Sequence, residues 1–257
     1  MPLKSAFPPD TVFVDDEGRG KKYALRKGIT AATTEYVWLL DDDVQVPVDP
    51  MVDTTDADML ILPLKMTEGN GSLHERLQQT EYAAIQTLTM LAADRGRAVM
   101  CSGANLIVRR ARWIESWHDL HPDILSGDDM FLLESFKRRG LRIKAICAAS
   151  CIATVEPSHS LRGLLRQRMR WAGKAPHYTD RDILRCGTMV VIANLLSVVC
   201  PLLWPFKFIA ELRLLRHGRQ RYHLIDYYSP WVALLLSVLY PWYMLLCLAG
   251  GLLRKQW

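Results

Sequence analysis

Three places in the chain carry side chains whose types and spacing suit chemistry. In the first, Asp41-Asp42-Asp43 follows the aromatic and apolar run Tyr36-Val37-Trp38-Leu39-Leu40. Such a run suits a buried strand, and ligands of open α/β sheets gather outside the carboxyl ends of strands. On an extended chain Asp41 and Asp43 share a side. They would then offer two hard oxygen ligands to a cation such as Mg²⁺ or Mn²⁺ that already holds phosphate oxygens. A solvated acidic turn is the plain alternative.

The second place is Ser126-Gly127-Asp128-Asp129. Ser126 or Asp128 can cap the helix that follows, where acids are at home for structural reasons. A carboxylate projecting from that helix start into a cleft can also take a proton from an incoming hydroxyl. The third is Gln167, Arg170 and Trp171, at i, i+3 and i+4 of a helix opened by Ser160, and therefore on one face. An amide, a guanidinium and an indole there suit phosphate oxygens and a sugar ring. The same helix reads equally as a basic amphipathic one on lipid headgroups, with Leu161, Leu164, Leu165 and Met169 as its apolar stripe and Arg162, Arg166, Arg168 and Arg170 around the rest. Lys21-Lys22 opens an earlier helix, where an anion could sit against free backbone N–H groups or the pair could simply be solvated. His118 and His121 have a zinc-like spacing but no further ligands close in sequence, and the zinc reading is set aside.

The elements that must position these residues follow from periodicity. A strand at 11–14, a turn at 15–20, a helix from Lys21 with Ala24, Leu25, Gly28, Ile29 and Ala32 on one face, and the strand ending at Asp41 make a βαβ unit with a right-handed crossover. A polar loop with Pro47 and Pro50 precedes a strand at 59–62. A long helix is predicted over 74–95, a glycine-kinked strand region over 101–108, a helix from Asp128 to Gly140, and a strand over 141–146.

The 32 basic and 27 acidic residues leave a mild net charge of +5, and no nucleic-acid-binding signature is present. The hydrophobic half of the composition is unevenly placed: residues 187–206 and 227–253 carry no charged side chain. At ~1.5 Å per residue, each run can cross a hydrocarbon core of ~30 Å. Six cysteines without a CxxC pair read as reduced residues, mostly buried, of a cytoplasm-facing domain. Between the apolar runs lies a basic segment with Lys207, Arg213, Arg216, Arg219 and Arg221. Positive-inside bias keeps that segment on the catalytic side if Pro201 and Pro205 break the first run into a hairpin.

With its acid clusters and Gln167-Arg168-Met169-Arg170-Trp171 in order, the chain resembles a membrane-bound family 2 glycosyltransferase, of the branch that includes the cellulose, chitin and hyaluronan synthases. The resemblance runs from about Val12 to Tyr178. It rests on Gly20-Lys21-Lys22-Tyr23-Ala24-Leu25, the DxD of Asp41 and Asp43, Ser102-Gly103-Ala104-Asn105, Gly127-Asp128-Asp129 and the QxxRW of Gln167, Arg170 and Trp171. It implies an α/β, GT-A-like fold over residues 1–180 and a membrane region of transmembrane helices over 181–257. It further implies Mg²⁺ or Mn²⁺ on Asp41 and Asp43, and Asp129 as general base with Asp128 in support, in an inverting transfer. Gln167, Arg170, Trp171 and Lys21 would bind donor and acceptor. The implied partners are a nucleotide-diphosphate sugar, a lipid-linked or polysaccharide acceptor and membrane lipids, at a multi-pass membrane location with the catalytic domain cytoplasmic.

Two departures qualify the resemblance. Asp128-Asp129 stands where the family often has Glu-Asp, leaving open which of the two is the base. Family members also begin with a strand, a helix and a base-reading strand that this chain is expected to lack at its amino terminus, which would expose an apolar sheet edge. A catalytically inactive scaffold derived from such an enzyme is the alternative expectation. A metal-dependent phosphohydrolase ranks lower, for want of a second metal site.

Overall fold

The computed structural model describes residues 18–46, 56–124 and 126–253; the expected strand at 11–14 and the loop with Pro47 and Pro50 lie outside them. The strands are β1 (Tyr36–Leu40), β2 (Val44–Gln45), β3 (Met59–Ile61), β4 (Leu64–Met66), β5 (Asn105–Arg109), β6 (Ile143–Ala145) and β7 (Ala153–Val155). The α-helices are α1 (Lys21–Ala31), α2 (Leu73–Asp94), α3 (Arg110–Glu115), α4 (Asp128–Arg138), α5 (Leu161–Ala172), α6 (Arg181–Val199), α7 (Trp204–Tyr222) and α8 (Pro230–Leu253).

The first sheet runs β1-β5-β3-β6 and the second β2-β7-β4. In the first, β5 is antiparallel to both β1 and β3, while β3 and β6 are parallel. The architecture is therefore mixed α/β. Apolar side chains of β3, β5, α2, α3 and α4 close the core: Met59, Leu106, Val108, Met90, Trp113, Phe131, Leu132 and Phe136 are all 1% exposed or less. The expectation of a buried β1 is corrected in part: among the described residues it pairs with β5 alone, and Leu39 is buried while Tyr36, Val37 and Trp38 are half-buried and Leu40 is exposed.

Two helices open on the caps their sequences offer, but the expected cap of α4 by Ser126 or Asp128 is corrected: its N-cap is Gly127, with no side-chain hydrogen bond, and Asp128 lies in its first turn. Ser72 Oγ accepts from Glu75 N at 3.3 Å to open α2, and Ser160 Oγ accepts from Gly163 N at 3.1 Å to open α5. The predicted helices over 74–95 and from Asp128 appear with ends shifted by one or two residues.

Beyond α5 the chain folds back. Pro201 cannot continue the hydrogen bonding of α6, which ends at Val199; after a short turn over Pro201–Leu203, α7 starts at Trp204 with Pro205 in its first turn. The basic segment thus lies on a helix, and it is docked on α2. Tyr222 Oη donates to Asp94 Oδ2 at 2.8 Å, and a Cβ on Gly218 would stand 1.9 Å from Thr87 Oγ1. In turn, α8 lies against α5 through two glycines: a Cβ on Gly250 would be 2.7 Å from Met169 Cε, and one on Gly251 2.6 Å from Met169 O and 2.7 Å from Gly173 N. Among the described residues two helices, α6 and α8, are long and apolar enough to cross a membrane. All six cysteines are free, and Cys101, Cys151 and Cys247 are buried while the others are half-buried.

Candidate active site

The register of β1 against β5 assembles the site. Leu40 stands opposite Asn105, so Asp41, the next residue out, meets the loop that leads into β5. Asn105 is 1% exposed and locks that loop. Its Oδ1 accepts from Trp38 Nε1 at 2.9 Å, and its Nδ2 donates to Pro63 O at 2.9 Å and Cys151 O at 3.0 Å. Every polar atom of a buried amide needs such a partner. With the loop held, Gly103 N donates to Asp129 Oδ2 at 3.4 Å. A Cβ on Gly103 would stand 3.5 Å from Asp128 Oδ2, 3.8 Å from Asp129 Cβ and 3.9 Å from Lys21 Nζ. Three stretches far apart in sequence share one cleft.

Lys21 is the cation between the acids. Its Nζ donates to Asp41 Oδ1 and lies 3.8 Å from Asp128 Oδ2. Burial disfavours its charge, but Asp128, Asp41 and Asp129 together outweigh that and raise the ammonium above its usual value. Burial, then repulsion from Asp129, pushes the Asp128 carboxyl up, with Lys21 opposing. Asp129 is held by backbone donors on both oxygens, Gly103 N on Oδ2 and Met130 N on Oδ1 at 2.8 Å. The first turn of α4 adds its dipole to the stabilisation of both acids.

The DxD does not stay extended. Val44 N donates to Asp41 O at 3.3 Å, so 41–44 is a turn, with Asp41 half-buried and Asp43 exposed. The geometry by which the two carboxylates were expected to share a side is corrected, because the chain must reverse here to enter β2. Burial holds the Tyr82 hydroxyl above its usual value, with Arg168 and Gln86 opposing and the charges of Asp41 and Asp43 adding to the rise. Among the described residues no group of three His, Cys, Asp or Glu side chains is preassembled for a metal. Mg²⁺ commonly takes one or two carboxylates and completes its shell with phosphate oxygens and water. Two hard donors in one open turn fit a cation that arrives with a diphosphate.

Helix α5 supplies the opposite wall. Trp171 is half-buried and, like Val44, packs against the cluster of Leu64, Met66, Tyr82, Ala104 and Ala153. Gln167 and Arg170 are exposed on the same helix, and Gln167 Oε1 accepts from Arg168 Nη1 at 2.9 Å. The expected apolar stripe is corrected in part: Leu161 is 59% exposed, Leu164 is buried, and Arg168 is buried beside it. Arg168 is tolerated there because Glu81 of α2 meets it at 3.0 Å.

Lys22 does not join Lys21 in the cleft. It is buried and donates to Leu120 O at 2.7 Å and His121 O at 2.9 Å, which removes it from the expected anion site. Burial lowers it to about 8, with the Lys174 charge adding and Asp128 opposing. His121 packs on Phe131 with ring centroids 4.6 Å apart, a structural role. Sequence reasoning did not single out Glu81, Tyr82 or Lys174. Their signals were a carboxylate in the middle of an amphipathic helix and a lysine three residues past the Trp171 helix face. An open groove of about 670 Å³ along α1 and β1, lined by Leu25, Ile29, Trp38 and Leu40, ends at Lys21 and Asp41.

Residues 5–174 match the model of a family described as glycosyltransferase like family 2. Poly-β-1,6-N-acetyl-D-glucosamine synthases of Staphylococcus aureus strains COL, MSSA476 and N315 are each 30% identical over 184 residues, 67% of this chain and 43% of theirs. The chain thus spans less than half the length of these curated relatives.

Proposed function

The chain belongs to glycosyltransferase family 2, and from that premise we propose that it transfers a sugar, with inversion, from a nucleotide-diphosphate donor to a lipid-linked or polysaccharide acceptor at a membrane. The observation that carries the reading is the meeting of Lys21, Asp128 and Asp129 around Gly103, with Asp41 bonded to Lys21. The relatives are poly-β-1,6-N-acetyl-D-glucosamine synthases by name, which supports a polysaccharide acceptor.

In this reading Asp129 takes the proton from the acceptor hydroxyl. The freed oxygen bonds to the anomeric carbon from the face opposite the diphosphate as the bond from that carbon to the diphosphate oxygen breaks, and the nucleoside diphosphate leaves. Backbone donors at Gly103 and Met130 fix the Asp129 carboxylate, while Asp128 keeps Lys21 in the cleft. Lys21 and Arg170 offset charge on the departing diphosphate, and Trp171 stacks on the acceptor sugar beside Gln167. Asp41 and Asp43 would hold Mg²⁺ or Mn²⁺, which when bound adds positive charge at the diphosphate.

The division into a GT-A-like catalytic part, 1–180, and a membrane part, 181–257, belongs to the same proposal. Apolar residues on α6 and α8 support it: Met189 is 69% exposed, Val199 81%, Trp231 77% and Leu253 81%, a surface that lipid would cover. The docking of α7 on α2 supports a cytoplasmic catalytic side that also holds the basic segment. The test compares the detergent-solubilised chain with Asp129→Asn for sugar transfer and for donor binding. Transfer is expected to fall by about 10² to 10⁴ with donor binding kept; equal transfer rates would remove Asp129 from the base role.

A further inference from the structure

We propose that Lys174 is a further ligand of the donor's diphosphate, reaching the cleft across the Cα of Gly127. The assignment rests on the glycosyl-transfer reading and deepens it.

Lys174 follows α5 by two residues, and its N–H donates to Trp171 O at 3.3 Å, so the helix that carries the indole also fixes the lysine backbone. The residue is 7% exposed. Among the described residues its ammonium has no hydrogen bond and no carboxylate within ion-pair distance, in contrast to Lys21, Lys22, Lys137 and Lys207, which each have partners. A largely buried lysine whose ammonium has no protein partner is open to an anion from outside, which would offset the cost of its burial. Burial lowers its affinity for a proton, in line with that cost.

The stem of the side chain shows where it is directed. A Cβ on Gly127 would stand 2.8 Å from Lys174 Cδ. Gly127 is the residue before Asp128 and has φ 87°, so the absence of a side chain at the start of α4 opens the passage. The charges that act on Lys174 are those of the cleft: Asp129 and Asp128 attract it, and Arg170 and Lys21 repel it. Lys21 on α1 and Lys174 both stand beside the N-terminus of α4, Lys21 with its Nζ 3.8 Å from Asp128 Oδ2 and Lys174 with its Cδ against the Gly127 Cα. Two carboxylates there do not pair with Lys174. A diphosphate carries more acceptor oxygens than any single side chain, and it satisfies mutually repelling cations at once.

The full chain in detergent micelles with manganese is titrated by calorimetry with the uridine, thymidine, guanosine, cytidine and adenosine diphosphates, and the tightest is taken to the variants. Lys174→Met is expected to weaken binding about tenfold or more, Lys174→Arg to stay within about threefold of the parent, and both to unfold at the parent temperature. Unchanged affinity in Lys174→Met overturns the assignment alone. Weakened binding with a lowered unfolding temperature in both variants gives Lys174 a packing role and overturns it as well. A parent that binds none of the diphosphates overturns the glycosyl-transfer reading, and the assignment with it.

Discussion

Arg168 Nη2 donates to Glu81 Oε2 at 3.0 Å while its guanidinium lies 4.2 Å from the centroid of the Trp171 ring, and both charged residues are 6% exposed. Removing one member of a buried pair leaves an uncompensated charge, at a cost of about 3–5 kcal/mol. Arg168→Met is expected to lower the unfolding temperature sharply, and Glu81→Gln combined with Arg168→Met to recover most of the loss. A thermal melt in which the double variant is no better than the single one sinks the pairing argument.

Gly127 and Gly140 both have positive φ, 87° and 65°. A Cβ at Gly140 meets open space, whereas one at Gly127 meets Lys174 Cδ at 2.8 Å and Phe131 Cε2 at 3.1 Å. Gly140→Ala is expected to cost about 1–2 kcal/mol from backbone strain alone. Gly127→Ala should cost about 2–4 kcal/mol, because overpacking adds to the strain. Denaturant unfolding of the two variants side by side checks the order, and equal losses would remove the contact with Lys174.

The Lys22 ammonium is lowered from 10.5 to about 8. Between those values the unfolded chain binds more protons than the folded one, so this residue's contribution to stability rises with pH across that window. The gain is at most about 3 kcal/mol. A neutral amine still donates to Leu120 O and His121 O. Relative to Lys22→Met, the parent is expected to gain stability from pH 8 to pH 10.5; a constant difference between the two in urea melts would contradict the burial argument.

Much of this was written in local pattern. The apolar face of α1, the run into Asp41, the long period of α2 and the break at Pro201 are each decided by a few neighbouring residues, and each appears near its expected place. The rest depends on partners distant in sequence. Nothing near Trp38 says that it lies across from Ile107 in an antiparallel pair, yet that register brings Asp41 to Gly103. Arg168 reads as one more surface arginine until Glu81, 87 residues away, is placed beneath it. Lys174 has no periodic signature, since its position follows from the missing Cβ at Gly127.

Because α7 returns to α2 through Gly218 and Tyr222, its basic residues are expected on the catalytic side of the membrane. A reporter fused after Arg219 should be active in the cytoplasm and silent when its activity requires export. A signal from the exported form alone would rule out the hairpin formed by α6 and α7. Gly218→Val, whose side chain cannot fit beside Thr87, is expected to loosen α7 and to make it accessible to protease.

The bare backbone of α8 at Gly251 touches the α5 carbonyl of Met169, two residues before Trp171. The two glycines, Gly250 and Gly251, let α8 approach α5 closely there, against the Met169 side chain and carbonyl and Ala172 Cβ. In the proposed membrane setting, a change in the tilt of α8 is therefore expected to reach α5 and the indole two residues on from Met169.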